Sequence, residues 1–229
     1  MWQDIDSPKK NHLTQNGYLN EQRRIYRMRN RVLKAVTGMG LGVGMAIGLS
    51  GCVLAPQTIE LNESYGIEAP TASVNRGALI RVVDQRDDID ADEKQSLGSR
   101  GGRLAENSPL HVQDELSAVL TRRLQDSMAQ LGYGASSPLD PIKLELAVNR
   151  FRYSCNEGFL VTACSVSIRF NMTVIDGDTT FTKPYGLSES RRVAAAPVKE
   201  YNEKWVNGVL DRLWEYIFSD HELREYLGV

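Results

Sequence analysis

Val166-Ser167-Ile168-Arg169-Phe170-Asn171-Met172-Thr173-Val174 alternates apolar and polar side chains without a break. Successive side chains of a strand point to opposite faces, so this period predicts a strand with one face in a core and the other in water. Upstream, Ile142, Leu144, Leu146 and Val148 alternate with Lys143, Glu145, Ala147 and Asn149, and the apolar phase then moves to Phe151 and Tyr153. One extra residue shifts a period of two, so a β-bulge is expected near Asn149-Arg150. Downstream, Asp176-Gly177-Asp178 supplies a tight turn into a third stretch that runs on to Val193. The three make a meander.

Cys155 and Cys164 fall at the end of the first strand and the start of the second, with eight residues between them. A hairpin brings such positions face to face, and in an oxidising compartment a disulfide is the expected outcome, with two free thiols as the alternative. Closing so short a loop stabilises a fold by about 2 to 3 kcal/mol in the chain-entropy model. The spacing excludes a redox Cys-x-x-Cys pair.

Further out, two stretches carry helical spacing. Val112, Leu116, Val119, Leu120, Leu124, Met128 and Leu131 recur every three or four residues behind Ser108-Pro109, which predicts a helix with Ser108 as N-cap, Pro109 at its first position and Gly132 as its left-handed end. Trp205, Val209, Leu213 and Ile217 form a second stripe within residues 201–218, and Asp220 can cap a last short turn. Residues 78–83 are β-branched and read as a first strand ending at Asp84-Gln85-Arg86, followed by a long exposed loop over residues 87–107. The expected fold is α+β, with a four-stranded, mostly antiparallel sheet in the order β-α-β-β-β-α. Both helices then cover one face, leaving the face rich in Ser, Thr, Asn, Lys and Arg to solvent or to a partner.

In front of this domain lies a different kind of sequence. Arg29, Arg31 and Lys34 precede an uncharged apolar run over residues 35–49, which ends at Leu49-Ser50-Gly51-Cys52. This has the form of a lipoprotein signal, with cleavage between Gly51 and Cys52 and lipid on the Cys52 thiol. Fifteen residues of helix span about 22 Å, short of a bilayer core of about 30 Å. The expected organisation is a signal over residues 1–51, with Met28 as the expected start of translation, a lipidated tether over 52–76 in which the alternation Thr58-Ile59-Glu60-Leu61 can add a short edge strand, and one domain over 77–229. The leader holds eight basic and three acidic residues, so the body keeps 19 of the 27 basic and 26 of the 29 acidic residues, a net charge of −7. Nucleic acid is not an expected partner of such a body.

Candidate chemistry is sparse. Asp88, Asp90 and Asp92 open like a calcium loop, but Glu93 stands where Gly is needed and Ser99 where a bidentate Glu is needed. Gly98, Gly101 and Gly102 lack the Lys-Ser/Thr of a phosphate loop and read as flexible loop residues. His111 and His221 stand alone, and zinc needs three or four converging ligands, so no metal site is expected. No nucleophile elbow or paired-carboxylate signature is present, so no catalytic residue is assigned and no cofactor is expected beyond the lipid on Cys52. Asp84 and Arg86 are the polar pair to single out, as a structural ion pair, a loop clamp or a partner contact rather than a catalytic pair, because residues i and i+2 at a strand end share a face.

Taken in order, the motif at Cys52, Asp84-Gln85-Arg86, Gln130-Leu131-Gly132-Tyr133, Tyr201-Asn202, Trp205-Val206-Asn207, Leu210 and Asp220 with Leu223 resemble the YajG family of enterobacterial-type outer-membrane lipoproteins. The chain departs from that pattern in its extra N-terminal residues, the acidic insertion near Asp87 and the cysteine pair. The resemblance implies a lipid-anchored protein on the periplasmic side of the outer membrane, and Val53 after the modified cysteine agrees with sorting to that membrane. The expected role is a non-enzymatic accessory subunit that binds an envelope protein through the polar sheet face or the loop over residues 87–107. A carrier of a small lipid or glycan is the alternative.

Overall fold

The computed structural model describes residues 55–68, 74, 76–90, 92–101, 108–134, 139–157, 162–193 and 197–229. The leader, Gly51 and Cys52 lie outside the described residues. The alternating stretches form three long strands, β5 (Ile142–Glu157), β6 (Thr162–Asp176) and β7 (Thr179–Val193). They pair antiparallel in sequence order. The register shifts between Val148 and Arg150, where the change of apolar phase places a bulge. Gly177, at φ 55°, makes the turn between β6 and β7, a left-handed conformation that favours glycine. Every second residue of β6 from Thr162 to Val174 is buried, as alternation demands.

The sheet is larger than expected, with seven strands where four are predicted. Strand β2 (Ala78–Asp84) pairs with the first half of β5, parallel to it. Beyond it, β3 (Ser96–Ser99) pairs parallel with the second half of β5, followed outward by β4 (Pro109–Val112) and then β1 (Gln57–Ile59) at the edge. The α+β class and the dominance of antiparallel pairing hold, but the element order is β-β-β-β-α-β-β-β-α-α. There are three helices among the described residues, α1 (Leu116–Gln130), α2 (Lys199–Phe218) and α3 (His221–Leu227).

Three local expectations are corrected. Residues 109–112 are a strand, and α1 starts at Leu116 behind Glu115 with no side-chain cap. Leu110 and Val112 are two apart and both buried, so Val112 fits the strand as well as it fits the helical stripe. Pro109, with no N–H to donate, takes the first position of that strand. The loop at 87–107 contains β3, whose Leu97 is fully buried. Its Gly98 and Gly101 serve close packing: at φ 117° and 81°, an added Cβ would sit 2.3 Å from the Tyr153 carbonyl oxygen and 2.4 Å from that of Cys155. Gly102 lies outside the described residues. The segment expected as a tether with a short edge strand supplies that strand as β1 and also reaches the core, with Ile59 at 0% and Leu61 at 3% exposure.

That segment is held across both long helices. Asn207 of α2 donates through Nδ2 to the Glu60 carbonyl (2.8 Å) and accepts from the Asn62 N–H (2.7 Å). Gln130 of α1 accepts from the Ile67 N–H and donates to the Tyr65 carbonyl. Arg123 is buried between the helices, donates to the Asn62 carbonyl and to Asp211, and lies over the rings of Tyr65 and Trp214. Helix α1 ends as predicted: Gly132, at φ 86°, lets the Tyr133 N–H reach the Met128 carbonyl and its own N–H reach that of Ala129. Asp220 caps α3 by accepting from the Glu222 N–H.

Candidate interaction face

Asp84 and Arg86 sit where β5 exchanges one neighbour for the next. Arg86 donates from Nε and Nη2 to both Asp84 oxygens (2.9 and 2.8 Å), and from its other donors to the carbonyls of Ser96 (2.6 Å) and Lys94 (2.8 Å). The end of β2 is thereby fastened to the start of β3. Burial pushes the Asp84 carboxyl up, but hydrogen bonds from the Arg86 side chain and N–H, with the nearby Arg86 and Lys94 charges, outweigh it and hold the group below the ordinary aspartate value. Arg86 is only 3% exposed, so this pair is a clamp inside the fold and offers little surface to a partner.

The disulfide joins Cys155 and Cys164, which are directly opposite in the ladder and face the helices. Asp88 pairs with Arg152 at 2.7 Å. His111 lies within β4, and His221 begins α3 with its side chain 92% exposed. Among the described residues, no group of three or more His, Cys, Asp or Glu could hold a metal ion.

The helices pack on β1, β2, β6 and β7, closely around Trp205 and Trp214, which are 2% and 0% exposed, while beside β2 an open hollow of about 410 Å³ lies between Ala78 and Ile80 and the α1 residues Gln125 and Met128. The opposite face of the sheet is built in cross-strand rows. Lys143, Ile175 and Thr180 make one, beside Leu79 of β2; Glu145, Thr173 and Thr182 make the next, beside Arg81; Arg150, Arg169 and Gly186 follow, then Arg152, Ser167 and Ser188. Most rows carry their own complement. Arg81 meets Glu145 at 3.5 Å, Arg152 meets Asp88, Ser167 bonds Ser188 at 2.8 Å and Thr173 bonds Thr182 at 3.1 Å.

The exception is Arg150 and Arg169. They are register partners, both exposed, and neither makes an ion pair among the described residues. Like charges directly opposite weaken a sheet. At one end of the same face, exposed Leu79 (55%) and Ile175 (36%) border a shallow hollow of about 320 Å³. An open face with two unneutralised guanidinium groups and two bare aliphatic side chains can accept an acidic, partly apolar surface. Sequence reasoning did not pick out this arginine pair. The signal was available: counting five residues back from Cys155 and five forward from Cys164 sets Arg150 against Arg169.

Residues 67–228 match the family described as "Uncharacterized lipoprotein". No curated protein matches the sequence. Among solved structures, protein XCC0632 from Xanthomonas campestris is 11% identical with a TM-score of 0.46, covering 75% of this chain and 99% of its own. A second, an uncharacterized protein, is 17% identical with a TM-score of 0.41, covering 71% and 95%. A protein from Helicobacter pylori described as a proposed homolog of a neuraminyllactose-binding hemagglutinin is 11% identical with a TM-score of 0.36, covering 72% and 97%. Likenesses at this level say nothing about function. Among the described residues, no helix is long and apolar enough to cross a membrane.

Proposed function

Since this chain belongs to the uncharacterized-lipoprotein family of the YajG-like kind, we propose that it works as a lipid-anchored accessory subunit of the bacterial envelope. In this reading the signal is cut between Gly51 and Cys52, Cys52 carries the lipid, and the domain sits on the periplasmic face of the outer membrane. The lipid is its sole prosthetic group. It performs no chemistry and binds an envelope protein through the open sheet face.

The observation that carries this reading is the Arg150–Arg169 pair, because a net-acidic domain places two opposed cations that no carboxylate among the described residues pairs with. An acidic strip on the partner would neutralise both, and polar contacts of this kind give specificity and encounter rate. A small-ligand carrier would have to use the open hollow of about 410 Å³ beside β2 and α1, and the opposed arginines on the other face favour the partner reading.

The test is a photo-crosslinking side chain placed at Ser188, one row from Arg169, in intact cells. A crosslink to one defined protein supports the proposal; recovery of lipid or peptidoglycan alone counts against it. The mass of the N-terminal peptide checks the anchor, which predicts a triacylated Cys52 as first residue.

A further inference from the structure

The anchor and the domain are joined by very little chain. Arg100 is fully buried and donates from Nη2 to the Ala55 carbonyl and from Nη1 to that of Pro197, so Ala55 is already fastened to the body. Three residue steps separate Cys52 from Ala55, which is at most about 11 Å of extended chain. The headgroup layer of a leaflet is about 5 to 8 Å thick. An acyl chain on Cys52 therefore leaves no room for the domain to tumble freely above the bilayer.

The end of the domain beside Ala55 is set by the sheet. Gln57 pairs with Leu110, Pro109 with Ser99, Ser99 with Ser154, and Thr162 with Val193, so one end of the sheet gathers the start of β1 and the close of β5 and β7. Val198 lies there with 56% of its surface exposed, beside exposed Lys199 and Glu200, with exposed Arg192 at the close of β7, while Arg191 lies over the Trp205 ring and near Glu189. An exposed aliphatic side chain with Arg192 and Lys199 at the same end of the sheet suits an anionic lipid surface, where the cations meet phosphates and the aliphatic group enters the interface. At the other end, exposed Asp140, Asp178, Glu222 and Glu225 accompany Lys143 and Lys183, and Leu79, Leu139 and Ile175 are exposed there too, so the short reach from Cys52, rather than apolar exposure, distinguishes the two ends. A strand of 15 residues separates the two ends by about 50 Å.

We infer that the Val198 end rests on the lipid headgroups and that the sheet stands away from the membrane, with the Asp178 turn pointing outward. This rests on the proposed acylation of Cys52. It leaves the open face turned sideways, accessible to a neighbouring envelope protein. The residues that fix the geometry are Arg100 and Asn207, which hold β1 and its continuation to the body.

The experiment uses the full acylated protein, purified from membranes and placed in vesicles of phosphatidylethanolamine and phosphatidylglycerol containing a headgroup-nitroxide lipid. With Cys52 acylated and Cys155 bonded to Cys164, a single added cysteine takes a fluorophore, in one variant Val198→Cys and in another Asp178→Cys. The expected result is severalfold stronger quenching at 198 than at 178, reduced when Arg192→Glu and Lys199→Glu are added. Equal quenching at both sites, or stronger quenching at 178, overturns the inference. Failure of the acylation reading shows separately, as a preparation that lacks the lipid mass on Cys52 and does not float with vesicles.

Discussion

The inner and outer faces of β5, β6 and β7 share one backbone and obey different rules. Inward, Leu146, Phe170 and Met172 are fully buried, and each contributes through the surface it removes from water and the neighbours it touches. Outward, each row is a local balance of charges and hydroxyls, and at Arg150–Arg169 that balance is left open. The lesson is that the inner face accounts for stability, while the outer face is free to be chosen for what docks on it.

The contrast can be broken first from the inside. Phe170→Ala empties a fully buried site against Trp214 and should cost about 3 to 5 kcal/mol, lowering the melting temperature by roughly 10 °C for a domain of this size. Thermal unfolding followed by circular dichroism checks it, and a loss under about 1 kcal/mol would mean the inner face is not the stabilising one. Replacing both Cys155 and Cys164 by Ala should cost about 2 to 3 kcal/mol. Reductant should lower the melting temperature of the parent protein to match and leave the variant unchanged.

Asp84→Asn loses the charged partner of Arg86 and should cost about 1.5 to 3 kcal/mol at neutral pH. The Asp84 carboxyl is held below its ordinary value when folded, so its contribution is fully present above the ordinary aspartate value and is lost as pH falls through the lowered one. Urea titrations of parent and variant should therefore differ at pH 7 and converge in strong acid. A gap that persists there would point to packing rather than charge. The smallest effect belongs to the outer face: Arg169→Glu, placing opposite charges across from each other, should stabilise by about 0.2 to 1 kcal/mol. Clear destabilisation would show that Arg169 serves the fold.

What was legible in the sequence follows the same contrast. Period-two alternation carries β5, β6, β7 and the bulge, and residue types with a local requirement carry the turn at Gly177, the end of α1 at Gly132 and the cap at Asp220. Strand β1 shows only the short alternation at 58–61, and β3 and β4 have four residues each, too few to show a period. Residues 57–67 look like a tether because their polar side chains conceal what secures them, which is hydrogen bonds from Arg123, Gln130 and Asn207 on distant helices. On the candidate site, Asp84 and Arg86 stand out from spacing, but their role as a clamp depends on carbonyls of β3, a strand the sequence does not announce. The arginine pair needed the hairpin register as well as the pattern.

The most direct measurement is the yield of the Ser188 crosslink in cells carrying Arg150→Glu and Arg169→Glu together, compared with the parent at equal protein level. The account predicts that the crosslink to the partner is lost while the melting temperature stays about the same, since like charges still face each other at this pair. An undiminished crosslink in that variant would contradict it.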